Sequence, residues 1–150
     1  MTATKDPSTY AKLPGGTRVL FGAVGAEVAA LKLLKDANAI GVTGRTSGFV
    51  EADRLIDTER KYMADIPEGP DKEFLFLDDP SDPDLQDLLD KADANETVQI
   101  RIEFPNGRWA NMNVVLGGWS HQELEKSKPM YLAVSGKQNS ITRGVNAPAA

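Results

Sequence analysis

Cysteine is absent from the chain. Disulfides, thiolate zinc sites, iron–sulfur clusters and cysteine nucleophiles are therefore excluded together. Histidine occurs once, at His121, so two-histidine metal motifs are impossible and a serine–histidine–aspartate triad has only this residue to draw on. No run approaches the 18 or so consecutive apolar residues of a membrane span; the nearest, 19–34, is broken by Glu27 and Lys32. No membrane span is expected. Residues 1–16 are polar, hold two prolines and two glycines, and lack the basic-then-apolar pattern of an export signal, so Sec-type export is not expected either.

What is there fits one folded domain: 150 residues, 41% hydrophobic and 26% charged. The net charge of −5 disfavours adhesion to DNA, which needs a basic surface, without excluding DNA as a passing cargo. That charge is unevenly placed. Glu51 to Glu96 carries a net −11 and the remainder a net +6, a pattern that either neutralises itself within one copy or guides register between copies.

Residues 1–16 read as an N-terminal arm whose large apolar groups are Tyr10 and Leu13, and 145–150 as a short tail. Between them the dominant period is two. Thr17 to Ala23 sets Val19, Phe21 and Ala23 on one face, and Thr97 to Phe104 alternates Val98, Ile100, Ile102 and Phe104 with polar residues. Arg108 to Trp119 and Lys128 to Ser135 continue the pattern, so a mainly β, antiparallel fold is expected. Phe104-Pro105-Asn106-Gly107-Arg108 is a turn signal joining two strands in a hairpin. One helix is expected at about 83–94: Asp82 is a good N-cap, Pro83 suits the first position, and Leu85, Leu88, Leu89 and Ala92 share a face. Asn95 suits its left-handed close. Glu27 to Lys35 fits helix or strand, with strand preferred. Phe74 to Leu77 reads as a strand covered on both faces, and 58–71 as a long projecting loop of functional type.

Candidate chemistry is thin. Gly41, Gly44 and Gly48 do not have P-loop spacing, and Asp78, Asp79, Asp82 and Asp84 lack the glycine of a calcium loop and are explained by helix capping. His121 stands near Glu123 and Glu125, but nothing supplies a nucleophile elbow, so a surface or interface histidine is the better account. No metal or cofactor is expected.

The order of elements, with the sharpest piece at Val98 to Trp119, where Ile-Arg-Ile-Glu-Phe-Pro-Asn-Gly leads to a Gly-Trp pair, resembles the tail tube proteins of long flexible-tailed (siphovirus-type) bacteriophages over roughly 17–144. The resemblance implies an antiparallel β-sandwich or barrel with one flanking α-helix, related to the tubes of contractile tails and secretion systems. It implies a non-enzymatic virion protein, made in the host cytoplasm, whose hexameric rings stack head to tail around a tape measure protein, are bounded by tail terminator and tail tip proteins, and later conduct double-stranded DNA. With four strands per subunit and roughly 4.8 Å per strand, such a ring would be about 37 Å wide before strand tilt. By the same resemblance Glu51, Asp53, Asp57, Glu59 and Glu103 are candidates for an anionic lumen wall, Arg60, Tyr62, Met63 and Ile66 for inter-ring contacts in the loop 58–71, and Tyr10 and Leu13 for an arm that orders on assembly. The rival readings are a tube subunit of a contractile tail or secretion system and a small monomeric acidic β-barrel enzyme or binding module.

Overall fold

The computed structural model describes residues 6, 8, 15–69 and 71–146. Alternation builds a seven-stranded antiparallel sheet from β1 (Arg18–Gly22), β2 (Lys32–Leu33), β3 (Ala37–Ile40), β6 (Asp71–Leu77), β7 (Thr97–Glu103), β8 (Arg108–His121) and β9 (Tyr131–Val145), in the order β2-β1-β7-β8-β9-β6-β3. β4 (Phe49–Glu51) and β5 (Tyr62–Ala64) pair separately as a two-stranded ribbon. The fold is thus mainly β, with one α-helix, α1 (Pro83–Asp93).

The sheet curls. Its two outer strands, β2 and β3, are consecutive in the chain, and the link between them ties both ends: Leu34 donates to Val19 O and Asp36 O accepts from Leu77 N. Two register shifts between β8 and β9, one on either side of Val114–Leu116, add the twist that a closing sheet needs. The inward residues form one core: Val19 and Phe21, Phe74 and Phe76, Val98, Ile100 and Ile102, Met112, Val114 and Leu116, Leu132 and Val134. Leu85, Leu88 and Ala92 press α1 onto this core.

The turn between β7 and β8 follows its chemistry. Gly107 N donates to Phe104 O at 3.1 Å, Gly107 takes φ 90°, and Arg108 N is caught by Asn106 Oδ1. α1 opens on Asp82, whose side chain accepts from Asp84 N, and closes through Asn95 at φ 55° with Glu96 N donating back to Lys91 O.

Three local expectations change. Residues 27–35 split into a short 3₁₀ turn, Val28–Ala30, and the two-residue β2. β6 buries one face only: Phe74 and Phe76 lie inside while Leu77 is 40% exposed, because no second layer covers its outer side. The stretch 58–71 is not irregular, since Tyr62–Ala64 pair back on β4 and Asp71 opens β6.

Candidate functional site

The β4–β5 ribbon leaves the barrel between β3 and β6. Its register sets Phe49 opposite Ala64, Val50 opposite Met63 and Glu51 opposite Tyr62, and the ladder is prolonged by Ala52 N to Lys61 O, Asp65 N to Gly48 O and a Thr46–Glu68 bridge. At the tip Asp57 N donates to Arg54 O, while Arg54 N and its guanidinium donate to the Asp57 carboxylate. Those bonds hold Asp57 below the usual carboxylate range. Leu55 and Ile56 occupy the two central positions of this turn, where polar residues and glycine are the rule, and both stand in solvent.

Every residue of β4 and β5 is exposed, on both faces. Phe49 (78%), Ile66 (83%), Tyr62 and Met63 complete an apolar rim left exposed among the described residues. A lone two-stranded ribbon is marginal in water, and contiguous exposed apolar surface marks a contact site.

The base of the ribbon is held by polar groups. Lys72, on the inward face of β6 and 1% exposed, donates to Val42 O and to Thr43 Oγ1, the latter at 3.0 Å. Gln138 of β9 donates its side-chain amide to Gly44 O at 3.0 Å. Burial pulls the Lys72 ammonium down to about 8.

A second candidate face is the outer side of β7, β8 and β9, covered on its β7 flank, where Gln99 and Arg101 are 5% and 7% exposed and the Gln99 amide donates to Ala26 O. Cross-strand rows Gln99–Asn113–Ser140 and Arg101–Asn111–Thr142 are polar, and the row Glu103–Trp109–Gly144 ends them. Glu103 is paired with Arg18 at 3.4 Å and Arg101 at 3.5 Å, and Arg101 stacks 4.4 Å from the Trp109 ring centroid. β9 is also an incomplete ladder: Leu132–Lys137 pair with β6 as well as β8, whereas beyond Lys137, among the described residues, Gln138 and Ser140–Val145 pair with β8 alone.

The structure thus divides the candidate residues. Glu51, Asp53, Asp57 and Glu59 sit on the ribbon with Arg60, Tyr62, Met63 and Ile66, and Glu103 sits apart on β7. Glu51 pairs with Arg60, and Asp53 accepts from Lys61 N, so the ribbon's carboxylates are largely engaged with its own cations and amides. Tyr10 and Leu13 lie outside the described residues. Sequence reasoning missed Phe49, Leu55 and Ile56, whose apolar pairs inside a charged stretch were the available signal, and also Lys72 and Gln138, which had none. His121 bonds Asp78 through Nε2 at 3.0 Å and meets Trp119 edge-on, and the Trp119 indole N–H donates to Asp93. Glu123 and Glu125 are not among the partners found for it. Among the described residues no three acidic or histidine side chains converge as a metal site.

Solved structures share this architecture at low identity. The tail of an empty gene transfer agent particle, refined with C6 symmetry, matches at TM-score 0.68 and 8% identity, over 91% of this chain and 100% of that one. The sheath–tube complex of the extracellular contractile injection system PVC matches at 0.67 and 13%, over 97% and 100%. The SPP1 tail tube matches at 0.63 and 11%, over 88% and 78%. These likenesses show the fold, and no curated protein matches the chain. The profile of the phage tail tube protein family covers residues 12–146, nearly the whole described chain, so this protein belongs to that family of structural virion components, which are tube subunits and not enzymes.

Proposed function

We propose that six copies close into a ring and that rings stack head to tail into a tube that surrounds a tape measure protein during assembly and later conducts double-stranded DNA. The carrying observation is the β4–β5 ribbon, whose apolar rim of Phe49, Leu55, Ile56 and Ile66 stands exposed among the described residues. A projecting element that docks on a different surface of the next copy makes a heterologous contact, which propagates into a filament. Tyr62, Met63 and Arg60 contribute to that inter-ring contact, and Tyr10 and Leu13 belong to an arm that orders on assembly.

Closure of the ring is supported by β9, whose Gln138–Val145 half offers one backbone edge for a neighbour's strand. The number six is taken from the symmetry of the gene transfer agent tail. The polar outward face of β8 and β9 suits a bore that must pass DNA without reading it: the amides of Asn111 and Asn113 and the hydroxyls of Ser140 and Thr142, with Glu103 at the end of β7 balanced by Arg18 and Arg101. Glu51, Asp53, Asp57 and Glu59 then place negative charge at the junctions between rings, where it repels phosphate. Terminator and tip proteins bound the tube, and the subunit is made in the host cytoplasm before it enters the tail.

One observation favours a second reading. The PVC sheath–tube neighbour matches 97% of this chain, which also suits a tube inside a contractile sheath. Negative-stain microscopy of the concentrated protein tests the proposal. Long hollow filaments support it, isolated rings favour the secreted-tube type, and globules at every concentration, even with tail partners added, would sink it.

A further inference from the structure

We propose that Lys72 and Gln138 are positioning residues for stacking: together they fix the direction in which the β4–β5 ribbon leaves the barrel. The inference rests on the stacking role proposed above.

Two neighbouring strands change character at the same end of the barrel. The inward face of β6, followed toward its start, runs Phe76, Phe74, Lys72; that of β9 runs Leu132, Val134, Gly136, Gln138. Lys72 is the cross-strand partner of Gly136, where a Cβ would stand 2.6 Å from Val114 Cγ1 and from Val115 O, and Gln138 is the next residue of β9 aligned with the core, opposite Val114. Both apolar runs end in a polar side chain, and both side chains donate to one strip of three residues, Val42 to Gly44.

Gln138 also touches the returning strand of the ribbon. A Cβ built on Gly69 would stand 2.4 Å from Gln138 Nε2, so the chain re-enters the barrel pressed against the amide that holds its exit. Apolar burial does not do this anchoring, because Val42 and Ile66, on the outgoing and returning links, are 75% and 83% exposed. Barrel stability does not account for Lys72 either. An ammonium buried against a carbonyl and a hydroxyl, with no carboxylate among its partners, is costly where a methionine would pack. Its placement is explained by what it holds.

The absence of cysteine makes a direct test clean. Spin labels on Glu59→Cys in the ribbon and Asp90→Cys on the exposed side of α1 report the ribbon's direction as a distance distribution. Lys72→Met with Gln138→Met, in the full chain, should broaden that distribution at least twofold. The barrel's melting temperature should stay at or above the wild-type value, and the association constant per added ring should fall by a factor of about 10 or more. Thr43→Val, which removes an acceptor without entering the barrel, should show the same effects more weakly and carries the test if Lys72→Met does not fold. An unbroadened distribution overturns the inference, and so do tubes of wild-type length with a broadened one. Failure of the wild-type protein to stack at all would instead remove the stacking role, and is distinguishable because the labels still report the ribbon's direction.

Discussion

The indole of Trp109 lies across Gly144, its cross-strand partner on β9, so closely that a Cβ there would stand 2.3 Å from Cζ2 and 2.9 Å from Nε1. The ring covers the bare backbone and is itself capped by the Arg101 guanidinium. Gly144→Ala should therefore expel the indole and cost about 1–3 kcal/mol, as overpacking does. Urea melts measure the loss. Fluorescence recorded in a Trp119→Phe background should shift to the red as the Trp109 ring meets water; an unshifted spectrum would show that the ring finds another seat.

Asp82 caps α1 by accepting from Asp84 N and is itself 4% exposed. Replacing it with alanine should lower stability by about 1 kcal/mol, and asparagine, which keeps an acceptor, should recover most of it. Equal melting of the alanine and wild-type chains would remove the cap from the account.

Lys72 gives a pH dependence with a definite sign. Its folded value is about 8, below the roughly 10.4 of an unfolded lysine. Between those values the unfolded chain binds the extra proton, so stability rises with pH through that window. The rise due to this residue should be on the order of 3 kcal/mol. Chemical denaturation of wild type and Lys72→Met from pH 7 to 10.5 isolates it: the difference between the two should grow with pH in the wild type's favour. A constant difference would show that the ammonium is not paying a desolvation cost.

Asp36 supplies the opposite case. Burial, then the neighbouring carboxylates Asp79 and Asp82 against the help of Lys35, hold it above the usual aspartate value. A raised folded value adds stability at low pH that is lost as pH rises through it, so at neutral pH the ionised group is a burden. Asp36→Asn should melt higher than wild type at pH 7, with the advantage shrinking on acidification; an advantage that grows in acid would reverse the assignment.

Leu55 and Ile56 head the ribbon and stand in solvent, 107% and 79% exposed. Leu55→Asp with Ile56→Asp should leave the melting temperature within a few degrees, since exposed substitutions cost within about 0.5 kcal/mol. Filament growth should stop. Thermal melts read the first and sedimentation the second, and normal tubes from this variant would move the inter-ring contact elsewhere.

Several elements are legible in the sequence alone. α1 announced itself through Asp82, Pro83 and the spacing of Leu85, Leu88 and Ala92, because capping and a helical stripe are local chemistry. The β7–β8 hairpin was equally plain from Pro105, Asn106 and Gly107. β9 was legible only from Tyr131 to Ser135: the expected start at Lys128 fails, since Met130 is 50% exposed and precedes the strand, and beyond Ser135 Lys137, Gln138, Asn139 and Ser140 show no apolar alternation, so the strand reaches Val145 only because β8 supplies its ladder. β5 was invisible for a related reason, since Tyr62–Ala64 are a strand only by pairing with Phe49–Glu51 across the intervening turn. Of the candidate site, Tyr62, Met63 and Ile66 were named only through the resemblance, as inter-ring contacts, and the structure sets them in solvent; the anchors Lys72 and Gln138 were not named at all.

The sequence by itself determined a cysteine-free, mainly antiparallel β-domain with one capped helix, because alternation, turns and caps are written in neighbouring residues. Only the tertiary structure decided that the acidic middle of the chain folds out as a self-paired ribbon, and that two polar side chains at the barrel's end grip its root. The ribbon is made by backbone pairing across an intervening turn, and the grip on its root by contacts between residues 30 and 94 apart, and no local pattern encodes either.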